Sequence, residues 1–235
     1  MIRLTSIESE SVAHANSEGF SIVTDVFSDQ ECEHFSNLLS ATAEGRGRAG
    51  TRHLMSNPFV ATLASDNRLL EVASQSLGTQ AIPYRATLFE KTSRANWLVV
   101  WHQDTALPLS SFTDSQEWGP WSTKNGILYA HAPSWALSRI IALRIHLDGS
   151  TTHNGPLRII PGSHLKGVLA DDEVFRIART NTAVECIVPR GSVLAMRPLL
   201  IHSSSKAIND LPRRVLHIEY TDSLDLRSEI RLAMS

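Results

Sequence analysis

Along the chain the spacing of apolar positions changes character near residue 81. Before it, apolar residues recur at helical spacing. SDQECEHFSNLLSAT predicts a helix that Ser28 can cap, with Glu31 three positions on completing a capping box. NPFVATLA and DNRLLEVASQSLG predict two short helices, the second stopped by Gly78. A single strand, EGFSIVTDVF, precedes them, and a Gly- and Arg-rich loop, EGRGRAGTRH, separates the first helix from the other two. After residue 81 the runs are short, β-branched or large, and punctuated by Gly, Pro, Asn or Ser. PYRATLFEKT, NWLVVWHQD, SRIIALRIHLDG, GPLRIIPGSH, TAVECIVPR, GSVLAMRP, LLIHSSS and RRVLHIEYTD predict about eight strands, with one helix, DDEVFRIARTN, among them. Strands at this spacing predict a mainly β protein with flanking helices, a jelly-roll sandwich or barrel. The expected organisation is one domain over 1–235, its helical part about 1–80 and its β core about 81–222. Residues 105–137 show no clear period, and a loop of that length in a compact domain is expected to be a lid or a binding loop.

Composition narrows the classes. With 235 residues, 42% hydrophobic, 20% charged and a formal net charge of −2, the chain reads as an ordinary globular domain with no nucleic-acid footprint. Two cysteines, Cys32 and Cys186, argue against a disulfide scaffold. No apolar run is long enough for a membrane span. The opening MIRLTSIESESVAH lacks the basic-then-apolar layout of a secretory signal, so a cytoplasmic protein is expected. Oligomeric state is not legible.

Polar residues inside apolar strands carry the candidate chemistry. In WLVVWHQDTALP, His102 and Asp104 stand two apart and share a strand face. Three readings fit: a structural His–Asp hydrogen bond, a hydrolytic acid–base pair, or a metal site. No GxSxG-type turn marks a nucleophile for the second. The third needs one more histidine to complete a two-histidine, one-carboxylate facial triad, the signature of non-haem Fe(II) oxygenases. His202, in the apolar RPLLIHSSS, is the candidate. Arg213 opens the next strand; a guanidinium there can grip a carboxylate bidentately, as the distal end of 2-oxoglutarate requires.

WHQD (101–104), HLDGSTTHNGPLRIIPGSHLKG (146–167), RPLLIHSS (197–204) and PRRVLHIEY (212–220), in this order, resemble the phytanoyl-CoA dioxygenase-like branch of the Fe(II)/2-oxoglutarate dioxygenases. The resemblance spans about Gly19 to Tyr220. It implies a double-stranded β-helix (jelly-roll, cupin-like) barrel. It implies that His102, Asp104 and His202 are the iron ligands and that Arg213 and Ser204 contact 2-oxoglutarate. The expected reaction consumes O2, oxidises a C–H bond of a small molecule, most simply by hydroxylation, and releases succinate and CO2. Halogenating members carry Ala or Gly at the carboxylate position, so Asp104 speaks against halogenation. Asn209 is displaced from the place a family asparagine commonly takes. The alternatives are a non-catalytic jelly-roll binding module and a cupin-like metalloenzyme that uses no 2-oxoglutarate.

Around this core, Arg85 either holds 2-oxoglutarate or a substrate acid, or makes a rim salt bridge. Arg144 and His146 share a face and either line the pocket or form a packed polar pair. Trp118, Trp121 and Lys124 either close over substrate or pack in the long loop. His164 is expected to be structural, and Cys186 a small core residue. The arginines and tryptophans together suggest an amphipathic, carboxylate-bearing small-molecule substrate.

Overall fold

The computed structural model describes residues 17–40, 50–91, 95–227 and 229–235. His14, the N-terminal segment and most of the Gly/Arg-rich loop lie outside the described residues. Among those described, strands dominate and every strand pairing is antiparallel.

The N-terminal helices form as their end signals require. In α1 (Asp29–Ser40), the Ser28 hydroxyl accepts from the Glu31 amide at 3.3 Å, and the Glu31 carboxylate accepts from the Ser28 amide at 2.8 Å. Asn57 caps α2 (Pro58–Ala64), and Asp66 caps α3 (Asn67–Leu77). Gly78, at φ 73°, ends α3 in the left-handed conformation that glycine adopts at least cost.

Six strands make the larger sheet: β1 (Phe20–Val23), β2 (Thr51–Arg52), β3 (Ile82–Lys91), β8 (Ile140–His146), β11 (Val193–Met196) and β13 (Arg213–Thr221), in the order β1-β11-β8-β13-β3-β2. The smaller sheet holds β4 (Val99–His102), β9 (Leu157–Ile159), β10 (Val184–Cys186) and β12 (His202–Ser204), in the order β10-β9-β12-β4. All eight strands expected after residue 81 are present in these two sheets.

Two-residue alternation divides the larger sheet into an apolar back and a largely polar front. Leu143, Ile145, Leu216, Ile218 and Tyr220 pack with the three N-terminal helices as one core. Between the sheets, Leu157, Ile159, Cys186, Leu194, Met196 and Leu200 form a second apolar cluster. Cys186 is thus the core residue expected. The front of β13, β8 and β3 beyond this cluster carries Arg213, His217, Glu219, Arg144, His146, Arg85 and Lys91.

Two expectations change. The strand holding His102 is not an interior strand; β4 is the edge of the smaller sheet. Its apolar residues split, with Trp101 packed against a cluster under α5 (Asp171–Thr180), while Leu98 and Val100 are exposed. Residues 105–137 are also ordered rather than an irregular loop. They build a separate sheet, β5-β7-β6, from β5 (Ala106–Leu109), β6 (Trp121–Lys124) and β7 (Ile127–His131), followed by the single-turn α4 (Ser134–Leu137). The missed signal is Asn125-Gly126. Both residues have positive φ, 49° and 80°, the requirement of a two-residue type I′ hairpin turn. A final hairpin joins β14 (Asp225–Arg227) to β15 (Ile230–Arg231). No helix among the described residues is long and apolar enough to cross a membrane.

Candidate active site

His102 and His202 are brought together by strand pairing, since β4 and β12 are neighbours and the two histidines are register partners. Their ring centroids lie 4.2 Å apart. Asp104, just beyond β4, faces both. Its carboxylate oxygens lie 3.6 Å from His102 Nε2 and 3.5 Å from His202 Nε2. One donor atom from each of the three residues falls within 4.8 Å of the others.

Proton placement on the rings follows from their second nitrogens. His102 Nδ1 is 2.8 Å from the Val100 carbonyl, and His202 Nδ1 is 2.8 Å from the Leu200 carbonyl. A carbonyl only accepts, so each Nδ1 carries the hydrogen. In the neutral rings each Nε2 then presents a lone pair toward the common centre, the arrangement by which metal-binding histidines are oriented. Burial pushes His202 down to about 4 although Asp104 opposes it. Burial also pushes His102 down, but the Asp104 carboxylate outweighs it and the net shift is upward. Burial alone would raise Asp104; the two histidines and His217 hold it well below the usual carboxylate range. The donor set is thus an anionic oxygen and two imidazoles, suited to a first-row divalent metal.

Behind the triad is a cationic recess. Arg213 is only 4% exposed and has no carboxylate partner among the described residues. Its Nη2 donates to Ser204 Oγ at 3.3 Å, while its Nε is buried without a partner. Lys91, paired opposite Arg213 in the β13–β3 register, is 1% exposed and donates to the same Ser204 Oγ at 2.7 Å and to the Ser205 carbonyl. Burial and then Arg144 push Arg213 down to about 9, so it stays charged at neutral pH. Burial, then Arg213 and Arg144, push Lys91 down to about 7. Buried cations without an acid are costly. A carboxylate beside Arg213, Lys91 and Ser204 would remove that cost, so these residues fit an acidic co-substrate.

Glycine makes room for this recess. Gly155, at φ 69°, accepts from Ser204 Oγ at 2.9 Å through its carbonyl, and an added Cβ would collide with the Ser205 carbonyl and come within 3.0 Å of Lys91 Nζ. Gly155→Ala is therefore expected to destabilise the fold by about 1–3 kcal/mol, read as a lower unfolding temperature. It should also weaken co-substrate binding.

The other residues singled out from sequence are placed as follows. Arg144 is buried on the front of β8; its Nη1 donates to His217 Nδ1 at 3.0 Å, and its Nε has no partner. Because Nδ1 accepts, His217 Nε2 carries the hydrogen and donates to Glu219 Oε1 at 3.1 Å. Glu219 also accepts from Tyr84 at 2.7 Å and pairs with Arg85 at 3.3 Å, so Arg85 is an interior ion-pair partner. His146 is buried beside Arg144, with Nδ1 3.1 Å from Ser150 Oγ. Trp118 packs in the core under the β5-β7-β6 sheet and meets Trp135 edge-on. Trp121 meets Phe112 at a 45° tilt, with ring centroids 4.8 Å apart. Lys124 lies over the Tyr129 ring at 4.7 Å. Asn209 Oδ1 accepts from the nearby Leu211 amide at 3.3 Å. Lys91 and Tyr129 lie outside the motifs quoted above, and His217 and Glu219, though within PRRVLHIEY, had no role assigned from sequence.

A jelly roll that gathers two histidines and one carboxylate at the edge of its smaller sheet presents a donor set that could hold one metal ion. Residues 15–215 match the phytanoyl-CoA dioxygenase (PhyH) family, and the chain belongs to it. Among relatives, it is 28% identical over 178 residues to L-proline trans-4-hydroxylase of Streptomyces griseoviridis, covering 65% of this chain and 59% of that protein. The chain thus spans less than two thirds of that relative's length. It is 23% identical over 252 aligned positions to ectoine dioxygenase of Sphingopyxis alaskensis, covering 91% of this chain and 76% of that protein. The fold matches the crystal structure of EctD from S. alaskensis with 2-oxoglutarate and 5-hydroxyectoine at a TM-score of 0.71 and 22% identity, over 97% of this chain and 80% of that one. It also matches AviO1 from Streptomyces viridochromogenes Tue57 at a TM-score of 0.68 and 21% identity, over 97% and 99%.

Proposed function

We propose that this protein is an Fe(II)- and 2-oxoglutarate-dependent dioxygenase that hydroxylates a C–H bond of a small molecule. The observation that carries the reading is the convergence of His102 Nε2, His202 Nε2 and the Asp104 carboxylate, with the buried guanidinium of Arg213 behind them, bonded to Ser204 and facing no carboxylate among the described residues. Membership of the PhyH family and the proline and ectoine relatives support it.

His102, Asp104 and His202 would hold the ferrous ion, leaving positions for co-substrate and dioxygen. When bound, the iron supplies the chemistry that couples decarboxylation of 2-oxoglutarate to substrate oxidation: R–H, 2-oxoglutarate and O2 become R–OH, succinate and CO2. The protein's part is orientation. The Val100 and Leu200 carbonyls fix the two imidazoles through Nδ1. Arg213 takes the distal carboxylate of 2-oxoglutarate, and Ser204 and Lys91 complete that end.

Adding 2-oxoglutarate to the Fe(II)-loaded protein without oxygen is expected to produce a weak visible charge-transfer band. No band, with iron bound, would remove the dioxygenase reading and leave a metal-binding jelly roll.

The Lys91 ammonium adds a pH dependence. In the free protein, burial and the nearby Arg213 and Arg144 guanidinium groups push Lys91 down to about 7. A bound dianion favours the charged form, so binding above that pH takes up a proton. The Kd for 2-oxoglutarate should then rise with pH above about 7, by up to about tenfold per unit. Calorimetry in buffers of different ionisation enthalpy measures the uptake, and Lys91→Met should abolish it.

A further inference from the structure

The cations at the front of the barrel form two groups, and 2-oxoglutarate accounts for one. Arg213 and Lys91 face each other at the start of β13; Glu219 and Arg85 face each other six positions further on. Six residues of strand cover about 20 Å, more than a five-carbon diacid spans. A co-substrate held at Arg213 therefore does not reach Arg85.

The second group is organised on one aromatic ring. Tyr129 is 1% exposed. Lys124 Nζ lies 4.7 Å and Arg85 Cζ 5.3 Å from its centroid, and its hydroxyl is 2.9 Å from His53 Nε2. Register places Lys124 and Tyr129 on the same face of the β6–β7 hairpin, opposite Trp121 and Ala130, which pack in the core beneath. His53 holds a left-handed backbone, φ 62° and ψ 40°, uncommon for a residue with a Cβ. Backbone of this kind persists where surrounding structure imposes it and concentrates at ligand sites.

The charge here is not balanced. Arg85 is neutralised by Glu219. Lys124 and Arg52 have no ion-pair partner among the described residues. Burial, then Arg85, Arg52 and Lys124, push His53 down, so it is neutral at pH 7. Burial, then Arg52 and Arg85, push Lys124 down, while Asp104 draws it up. Asp104 acts on Arg85 in the same direction. Arg85 Nη1 also donates to the Ala106 carbonyl at 3.2 Å, two residues beyond Asp104, so the group adjoins the metal site on a flank separate from Arg213.

We propose that Lys124, with Tyr129 and His53 around it, is the substrate's anion site, and that the enzyme selects small molecules carrying a carboxylate. The inference rests on the dioxygenase reading above. A carboxylate anchored at Lys124 would leave the rest of the substrate to lie across the metal site, from the side that 2-oxoglutarate does not occupy.

The test uses the Fe(II)·2-oxoglutarate protein and a panel of small carboxylic acids (α-amino, hydroxy, alicyclic and aromatic) beside their methyl esters, at millimolar concentration. Acids are expected to perturb the charge-transfer band, and their esters to do so about tenfold or more weakly. Lys124→Gln should raise the half-saturating concentration of an active acid by a similar factor and leave that of its ester unchanged, and Lys124→Arg should restore the acid. Esters equal to acids, a Lys124→Gln effect common to both, or no acid perturbing an otherwise normal band would each overturn the anion site and leave the dioxygenase standing. Loss of the band itself in the unsubstituted protein strikes the dioxygenase reading instead.

Discussion

His202→Ala is expected to abolish 2-oxoglutarate turnover and ferrous-ion retention while the protein stays folded. His202 supplies one of three donor atoms, and its removal leaves His102 and Asp104 alone at the centre. Changing only the groups that orient a metal ligand commonly costs 10–100-fold in affinity; losing the ligand costs more, so iron per chain should fall to background. The structural cost is smaller. His202 is buried, and truncation leaves a cavity worth about 1–3 kcal/mol. The core between the larger sheet and the helices does not include it. Iron content, near-ultraviolet circular dichroism and succinate release separate the two effects. His153→Ala, which removes an exposed ring contacting only Thr152 Oγ1 among the described residues, serves as control and should keep both iron and turnover. Iron retained at wild-type level in His202→Ala would remove the ligand assignment.

Arg213→Met should weaken 2-oxoglutarate by about 100-fold or more and yet raise the unfolding temperature of the ligand-free protein. Truncating one side of a buried, hydrogen-bonded charge pair costs about 2–5 kcal/mol of binding, and Lys91 recovers only part of it. In the free protein the sign reverses. Arg213 is buried, its Nε has no partner, and Arg144 repels it. Methionine fills similar space without a charge to desolvate, so the empty fold gains. A loss of affinity together with lower stability would mean that Arg213 is a structural residue. A calorimetric titration and a thermal melt of the same sample decide between them.

The candidate site was legible where a polar residue interrupts an apolar strand. His102 in VVWHQD, His202 in PLLIHSS and Arg213 before RVLHIEY are conspicuous because an unpartnered polar side chain is expensive there. Lys91 was not. A lysine closing TLFEK reads as a solvated strand end, and only its pairing with Arg213, in a strand far along the chain, buries it. Glu219 and His217 were hidden for the same reason: alternation marks a shared face, but not that the face meets Arg144, Arg85 and Tyr84. The β5-β7-β6 sheet carried a usable signal in Asn125-Gly126. Its aromatic residues suggested a lid, whereas Trp118 serves a core of its own.

By itself the sequence determined the local features of this protein: helix ends from Ser28 and Gly78, the existence of eight strands, and which two histidines and one carboxylate are candidates to converge, since each depends on residues a few positions apart or on a motif. Which strands are neighbours, and therefore which charges face one another across the barrel, was decided only by the tertiary structure. Register between strands distant in the chain sets the burial of Lys91, the partner that neutralises Arg85, and the lack of one at Arg213. Burial and field at a side chain are properties of everything packed around it.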